Sequence, residues 1–198
     1  MSEIQANKLS PASGTALQVG DSGDTITIPS GATITNNGTQ TGFGGSNENS
    51  FMAYNNGSQL LNQDTWTTIE YNAETFDLNS KFDTSTYRYT PASTGYYFLH
   101  AVVQFNFNDG SLGRRANLRL QKNGSDIAYA YQRFADSGFD ALNVHSMSIT
   151  WVDYSSSASD YYTLQAQQNN ANGNNNCYAI TGASSTYFTG YKLITWVH

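Results

Sequence analysis

The segment Gly20-Asp21-Ser22-Gly23-Asp24 has the form that a nucleophilic serine takes in some hydrolases. Such a serine works only with a histidine base and an orienting acid held around it. The three histidines are His100 within a strand-like run, His145 just before another, and His198 at the end, and none has an accompanying signature. Ser22 therefore reads as part of a glycine-rich turn, and no enzyme activity is expected. Cys177 is the only cysteine, which excludes an intramolecular disulfide. With no flanking base it reads as a small buried hydrophobe. Asp83, Asp109, Asp126, Asp136, Asp140, Asp153 and Asp160 offer oxygen ligands, but no dense Asp-x-Asp-x-Asp-Gly loop gathers them. Calcium needs several oxygens converging on one site, so turn positions are the simpler reading. No cofactor is expected, and calcium stays open. Tyr129, Tyr131, Tyr154, Tyr161 and Tyr187 are the candidate ligand-binding residues. Tyr with Asn, Ser and Gly makes an adaptable binding surface, in which rings stack on sugars and amides bond to hydroxyls. A host-surface glycan is the corresponding partner, and burial in a core or interface is the competing reading.

The elements that would position these residues are strands. Phe51-Met52-Ala53-Tyr54, Trp66 to Tyr71, Tyr87 to Thr90, Tyr96 to Phe107, Asn117 to Lys122, Asp126 to Phe134, Ser146 to Trp151, Tyr162 to Ala166, Tyr178 to Thr181 and Tyr187 to Val197 all read as strand-like runs. No stretch has a helical period with caps. Many short strands at regular spacing predict a sandwich or barrel. The run from Tyr96 to Phe107 is largely apolar on both faces: Tyr97, Leu99, Ala101, Val103 and Phe105 on one, Tyr96, Phe98, His100, Val102 and Gln104 on the other. An antiparallel sheet normally gives one face to water. A second apolar face implies cover by another sheet or another subunit. Gln165 to Asn176 is most simply a polar strand running into a solvated turn.

Residues 1–45 differ in texture from residues 46–198, having one aromatic, Phe43, amid Gly, Ser, Thr and Asn. Thr25-Ile26-Thr27-Ile28 alternates and ends at Pro29, then comes a segment containing Ile34, and Gly42-Phe43-Gly44-Gly45 reads as a hinge. One short strand cannot stand alone. Such segments need a neighbour, either the same segment of sister chains or another protein, and Ile26, Ile28, Ile34 and Phe43 are the candidate contacts of this N-terminal anchor.

The 198-residue chain carries 12% charged residues and a net charge of −6. No basic stripe is present to replace phosphate counterions, so nucleic acid is not an expected partner. The N-terminus has neither the positive nor the apolar region of a signal peptide, and no apolar run is long enough to insert in a membrane. Fourteen Tyr and ten Phe supply a large core and argue against disorder for most of the chain.

Phe82-Asp83-Thr84-Ser85-Thr86-Tyr87-Arg88-Tyr89-Thr90-Pro91, then Gly95-Tyr96-Tyr97-Phe98, carry an aromatic-Asp pair, a turn, an aromatic strand, Pro and Gly-x-Tyr. Asn72 precedes them, Leu118 to Lys122 ends in Asn123-Gly124, and Phe188-Thr189-Gly190-Tyr191-Lys192-Leu193 closes the chain with a Phe-x-Gly-aromatic strand. In this order and spacing, residues 51–194 resemble the globular head of complement component one subunit q, which shares a jelly roll with the tumour necrosis factor superfamily. Tyr87 stands where the family's turn has Gly, Leu99 where an aromatic is usual, and Pro91 to Gly95 is one residue longer.

The resemblance implies an all-β jelly-roll β-sandwich and a homotrimer. Its interface candidates are Tyr96, Tyr97, Phe98, Leu99, Ala101, Val103 and Phe105, near the threefold axis. Some heads of the family hold calcium near the apex, and threefold symmetry could gather one Asp per chain there. The texture of Gly23 to Gly38 resembles segments in structural proteins of tailed phages. The expected organisation is thus a 1–45 anchor on another virion protein and a 46–198 head. The expected function is a phage fibre, knob or appendage, made in the host cytoplasm, with the head binding the host surface or a virion protein. The alternatives are a free carbohydrate-binding lectin or adhesin and a capsid decoration (cement) protein.

Overall fold

The computed structural model describes residues 8–38, 49–108, 113–134, 143–173 and 175–193. The chain divides into two units, Met1–Phe43 and Gly44–His198. In the first unit the described residues form turns and extended segments with no strand. The alternation of Thr25 to Ile28 therefore does not become a strand: those residues have no ladder partner among the described residues, and Ile26, Ile28 and Ile34 are exposed. Phe43 and the Gly42 to Gly45 segment lie outside the described residues.

The second unit is all-β. Its described strands are β1 (Ser50–Tyr54), β2 (Gln59–Leu61), β3 (Thr67–Thr68), β4 (Ala73–Asp77), β5 (Phe82–Asp83), β6 (Arg88–Tyr89), β7 (Gly95–Phe107), β8 (Gly113–Lys122), β9 (Ser125–Arg133), β10 (Val144–Ser155), β11 (Tyr162–Asn170), β12 (Cys177–Ala179) and β13 (Tyr187–Lys192). They form two sheets with antiparallel ladders. The seven-stranded sheet has β7 at its centre, flanked on one edge by β10 and on the other by β13 and β12, with β1, β2 and β4 beyond. The six-stranded sheet runs β5-β6-β11-β8-β9, with β3 also on β11. Outside the β8–β9 hairpin, the connections between long strands cross from sheet to sheet: β7 lies in the first, β8 and β9 in the second, β10 in the first and β11 in the second.

The core lies between the sheets. β7 alternates strictly, burying Tyr97, Leu99, Ala101, Val103, Phe105 and Phe107 against Ala116, Leu118 and Leu120 of β8 and Tyr162, Leu164 and Ala166 of β11. The motif aromatics meet at one point. The Phe51 ring stacks on Tyr89 at 4.1 Å and on Phe82 at 5.1 Å, and meets Phe188 edge-on at 5.0 Å. Gly190 passes close to this cluster, with a Cβ there falling 2.8 Å from Leu99 Cδ2 and 2.9 Å from the Phe98 carbonyl oxygen. The Gly of the closing strand is thus a steric requirement.

Two turns follow from local chemistry. Asn123 and Gly124, at φ of 52° and 79°, join β8 to β9 as a two-residue hairpin of the primed type. Tyr87 has a φ of 59°, so the side chain standing where the resembled family has Gly does occupy a left-handed position. Gln165 to Asn176 is only partly as expected. β11 continues to Asn170, and Gln168 is fully buried rather than solvated, donating to the Leu61 carbonyl at 3.1 Å and accepting from Asn170 at 3.3 Å. Trp66 to Tyr71 contributes only Thr67–Thr68 as strand, while β2, β4 and β5 arise where no strand was expected.

Candidate binding surfaces

The two faces of β7 have different fates. Tyr97, Leu99, Ala101, Val103 and Phe105 are buried inside a single chain, so they are withdrawn as interface candidates: the six-stranded sheet already covers them. Tyr96 and Phe98 remain, on the outer face. There the register assembles residues from distant segments. Val152 of β10, Phe98 of β7 and Tyr191 of β13 form one row; Tyr154 stands opposite Tyr96 in the next; Ser148, Val102 and Tyr187 form another. Phe98 stacks on Tyr191 with centroids 5.1 Å apart, and Tyr96 lies 5.0 Å from Tyr154. Tyr96 is 48%, Val152 47%, Tyr154 50% and Tyr191 38% exposed, a contiguous apolar and aromatic patch. Val152 and Tyr191 escaped sequence reasoning because their membership depends on register between segments far apart in the chain.

His100 sits within this face. Its Nδ1 is 2.8 Å from Thr150 Oγ1 and its Nε2 3.4 Å from the Tyr187 hydroxyl. Partial burial lowers its pKa and favours the neutral ring.

The five tyrosines do not form one site. Tyr154 and Tyr187 belong to the outer face of the seven-stranded sheet. Tyr161 precedes β11 and is covered by Arg88, whose guanidinium carbon lies 4.2 Å from the ring centroid. Tyr129 and Tyr131 stand two residues apart on the outer face of β9, in the other sheet, with near-parallel rings 5.3 Å apart. Trp66 lies 6.4 Å from Tyr129, and the Arg119 guanidinium carbon sits 4.5 Å from the Trp66 ring centroid. Arg119 is fixed by Gln165 Oε1 at 2.8 Å and Asp126 Oδ2 at 3.0 Å, and the Tyr129 hydroxyl donates to the same carboxylate oxygen. Desolvation alone would raise the pKa of Asp126, but hydrogen bonds from Tyr129 and Gln121 and the Arg119 charge outweigh it and hold the carboxyl below its usual value. Trp66 was not singled out in the sequence, since the β3 segment reaches β9 only across β11 and β8; Arg119 lies on the hairpin partner of β9 and was within reach of the Asn123-Gly124 signal.

The tempting chemical motifs resolve into structure. Around Ser22, the Asp24 N–H donates to the Asp21 carbonyl at 3.0 Å and the Asp24 carboxylate accepts the Asp21 N–H at 2.8 Å, closing an exposed turn. His145 Nε2 lies 3.1 Å from Gln132 Oε1, and His198 lies outside the described residues. Cys177 is buried, and desolvation raises its thiol pKa well above the usual value. Among the described residues no group of three or more His, Cys, Asp or Glu side chains could hold a metal ion. Asp83 caps its own turn through Ser85 and Thr86, which lowers its pKa. Asp109, Asp136 and Asp140 lie outside the described residues. No described helix is long and apolar enough to cross a membrane.

Two antiparallel sheets, alternating connections and a β7-centred core define the class: an all-β jelly-roll sandwich. Among solved structures it is similar to the tumour necrosis factor Eiger of S. frugiperda, with TM-score 0.56 and 10% identity over 75% of this chain and 94% of that one. It is also similar to murine APRIL, with TM-score 0.52 and 11% identity over 73% of this chain and 98% of that one. The fold of the chain is thus the tumour-necrosis-factor-like jelly roll. No family model and no curated protein sequence matches the chain.

Proposed function

We propose that the chain is a non-catalytic structural protein of a tailed-phage virion. Residues 46–198 form a homotrimeric head, and residues 1–45 anchor it to another virion protein. The observation that carries the reading is the exposed outer face of β7, β10 and β13. It presents Tyr96, Phe98, Val152, Tyr154 and Tyr191 together, a surface suited to burial against sister chains. The trimer implied by the resemblance would bury this face and leave the six-stranded sheet outward. The N-terminal segment supports the anchor role through Ile26, Ile28 and Ile34, which are exposed, have no ladder partner among the described residues and can pair with a neighbour. The head then contacts a host surface or a virion protein.

The test is localisation. Antibody against the head should label purified phage particles, and a truncated chain starting at Ser46 should remain folded but no longer attach to them. Absence of the protein from particles would overturn the virion role. A second reading, a free lectin or adhesin, is favoured by the exposed Tyr129-Tyr131 pair, and it predicts saccharide binding by protein never found on particles. Labelled particles whose head neither binds cells nor slows adsorption would instead mark a capsid decoration protein.

A further inference from the structure

We propose that the outer face of the six-stranded sheet, centred on Trp66, Arg119, Tyr129 and Tyr131, is a saccharide-binding site contained within one chain. The inference deepens the reading of the head as a binding module and rests on it, but it does not require the trimer.

The face is ordered across four strands. Rows formed by the register place Thr68, Gln165, Arg119 and Tyr129 side by side, with Gln167, Asn117 and Tyr131 in the next row. The polar members are locked to one another. Gln165 donates to Thr68 Oγ1 at 3.1 Å, Asn117 donates to Gln167 Oε1 at 2.9 Å, and Gln167 donates to the Asp64 carbonyl at 3.0 Å. The aromatic members continue the order as a series: Arg119 on Trp66, Trp66 beside Tyr129, Tyr129 on Tyr131. Tyr131, at its end, is 64% exposed. Little side-chain freedom remains to be lost when a ligand binds.

The chemistry selects the ligand class. These two rows contain aromatic rings, amides, hydroxyls and a guanidinium, and no aliphatic side chain, so an apolar protein ridge finds little to pack on. A pyranose matches better. One of its faces is lined with C–H bonds that meet the negative face of an aromatic ring, and its rim carries hydroxyls that both donate and accept. Asn117 provides an independent indication. It is 2% exposed, it stands opposite Tyr131, and its Oδ1 accepts no hydrogen bond. Two residues away on the same side of β8, Arg115 Nε is likewise buried and donates none. A buried acceptor and a buried donor left unmatched next to an exposed ring are costly in isolation. Side-chain adjustment around a docked hydroxyl would satisfy both kinds of group.

The test uses the full chain. Tryptophan fluorescence and calorimetry are followed during titration with cellohexaose, mannohexaose, chitohexaose and dextran, and in a second arm with alginate and heparin. At least one saccharide should bind saturably at low millimolar concentration or below. Tyr131→Ala should weaken that binding about tenfold, the equivalent of one lost stacking face. Tyr131→Trp should retain it, and Leu60→Ala, at an exposed position of the opposite sheet, should leave it unchanged. Circular dichroism and oligomeric state are read on the same samples, so loss of the trimer is distinguished from loss of the site. The proposal is overturned if no saccharide in either arm binds. It is equally overturned if binding is confined to the polyanions, disappears at high salt and is indifferent to Tyr131→Ala. Particle attachment that depends on Tyr131 without any saccharide signal would assign the face to a protein and also overturn it.

Discussion

Phe98 and Tyr191 face each other across the β7–β13 ladder, rings stacked at 5.1 Å and 27°, on the side of the sheet away from the core. Val152 completes their row from β10 and is 47% exposed. A charge at Val152 therefore costs the isolated chain little, because exposed substitutions usually fall within about 0.5 kcal/mol. In a trimer burying this row, the same lysine would lose its hydration without a partner. Val152→Lys is expected to yield a folded monomer at micromolar concentration, measured by mass photometry with unchanged circular dichroism. A Val152→Lys protein that keeps the wild-type oligomeric state would remove this row from the interface.

Gly190→Ala should destabilise the head. The added methyl would meet Leu99 Cδ2 at 2.8 Å and the Phe98 carbonyl oxygen at 2.9 Å, and the second contact is backbone that cannot rotate away. Overpacking of this kind costs about 1–3 kcal/mol. Chemical denaturation should show a lower midpoint with an unchanged slope. The double variant with Leu99→Ala should not recover wild-type stability, since the carbonyl contact persists.

The turn before β11 should make stability acid-sensitive. Asp160 accepts from Asn123 Nδ2 at 2.8 Å, from the backbone N–H groups of Ser156 and Ser157, and faces Lys122 Nζ at 3.4 Å. The Asn123 hydrogen bond is the largest influence; with the Ser157 N–H and Lys122 it outweighs desolvation and lowers the pKa to about 2. The folded value lies below the unfolded one of about 3.9, so this stabilisation is full above roughly pH 4 and fades as pH falls towards 2. Asp160→Asn should lower the thermal midpoint at pH 7, and the gap from wild type should close on acidification through that window. A gap that is constant from pH 7 to 2 would contradict the assignment.

The parts of the fold legible in the sequence were those with local causes. Asn123-Gly124 specifies its hairpin by φ preference, the alternation from Tyr96 to Phe107 specifies a strand with two faces, and Phe188 with Gly190 marks the closing strand. Periodicity separates two faces but not which one the chain's own second sheet covers, and so Tyr97 and Leu99 were placed in an interface when they are core. Register is a long-range property, which is why Val152 and Trp66 went unnoticed and why the five tyrosines divide between two sheets and the turn before β11. The alternation of Ile26 and Ile28 shows the converse: with no ladder partner among the described residues, the pattern makes no strand.

The central claim is self-assembly through the outer face of β7, β10 and β13, and it is tested most directly by sedimentation velocity of the full chain at micromolar concentration and neutral pH. The account predicts a single species of three times the 21.7 kDa chain mass, persisting on dilution. A stable monomer with the circular dichroism of a folded β-protein would contradict it.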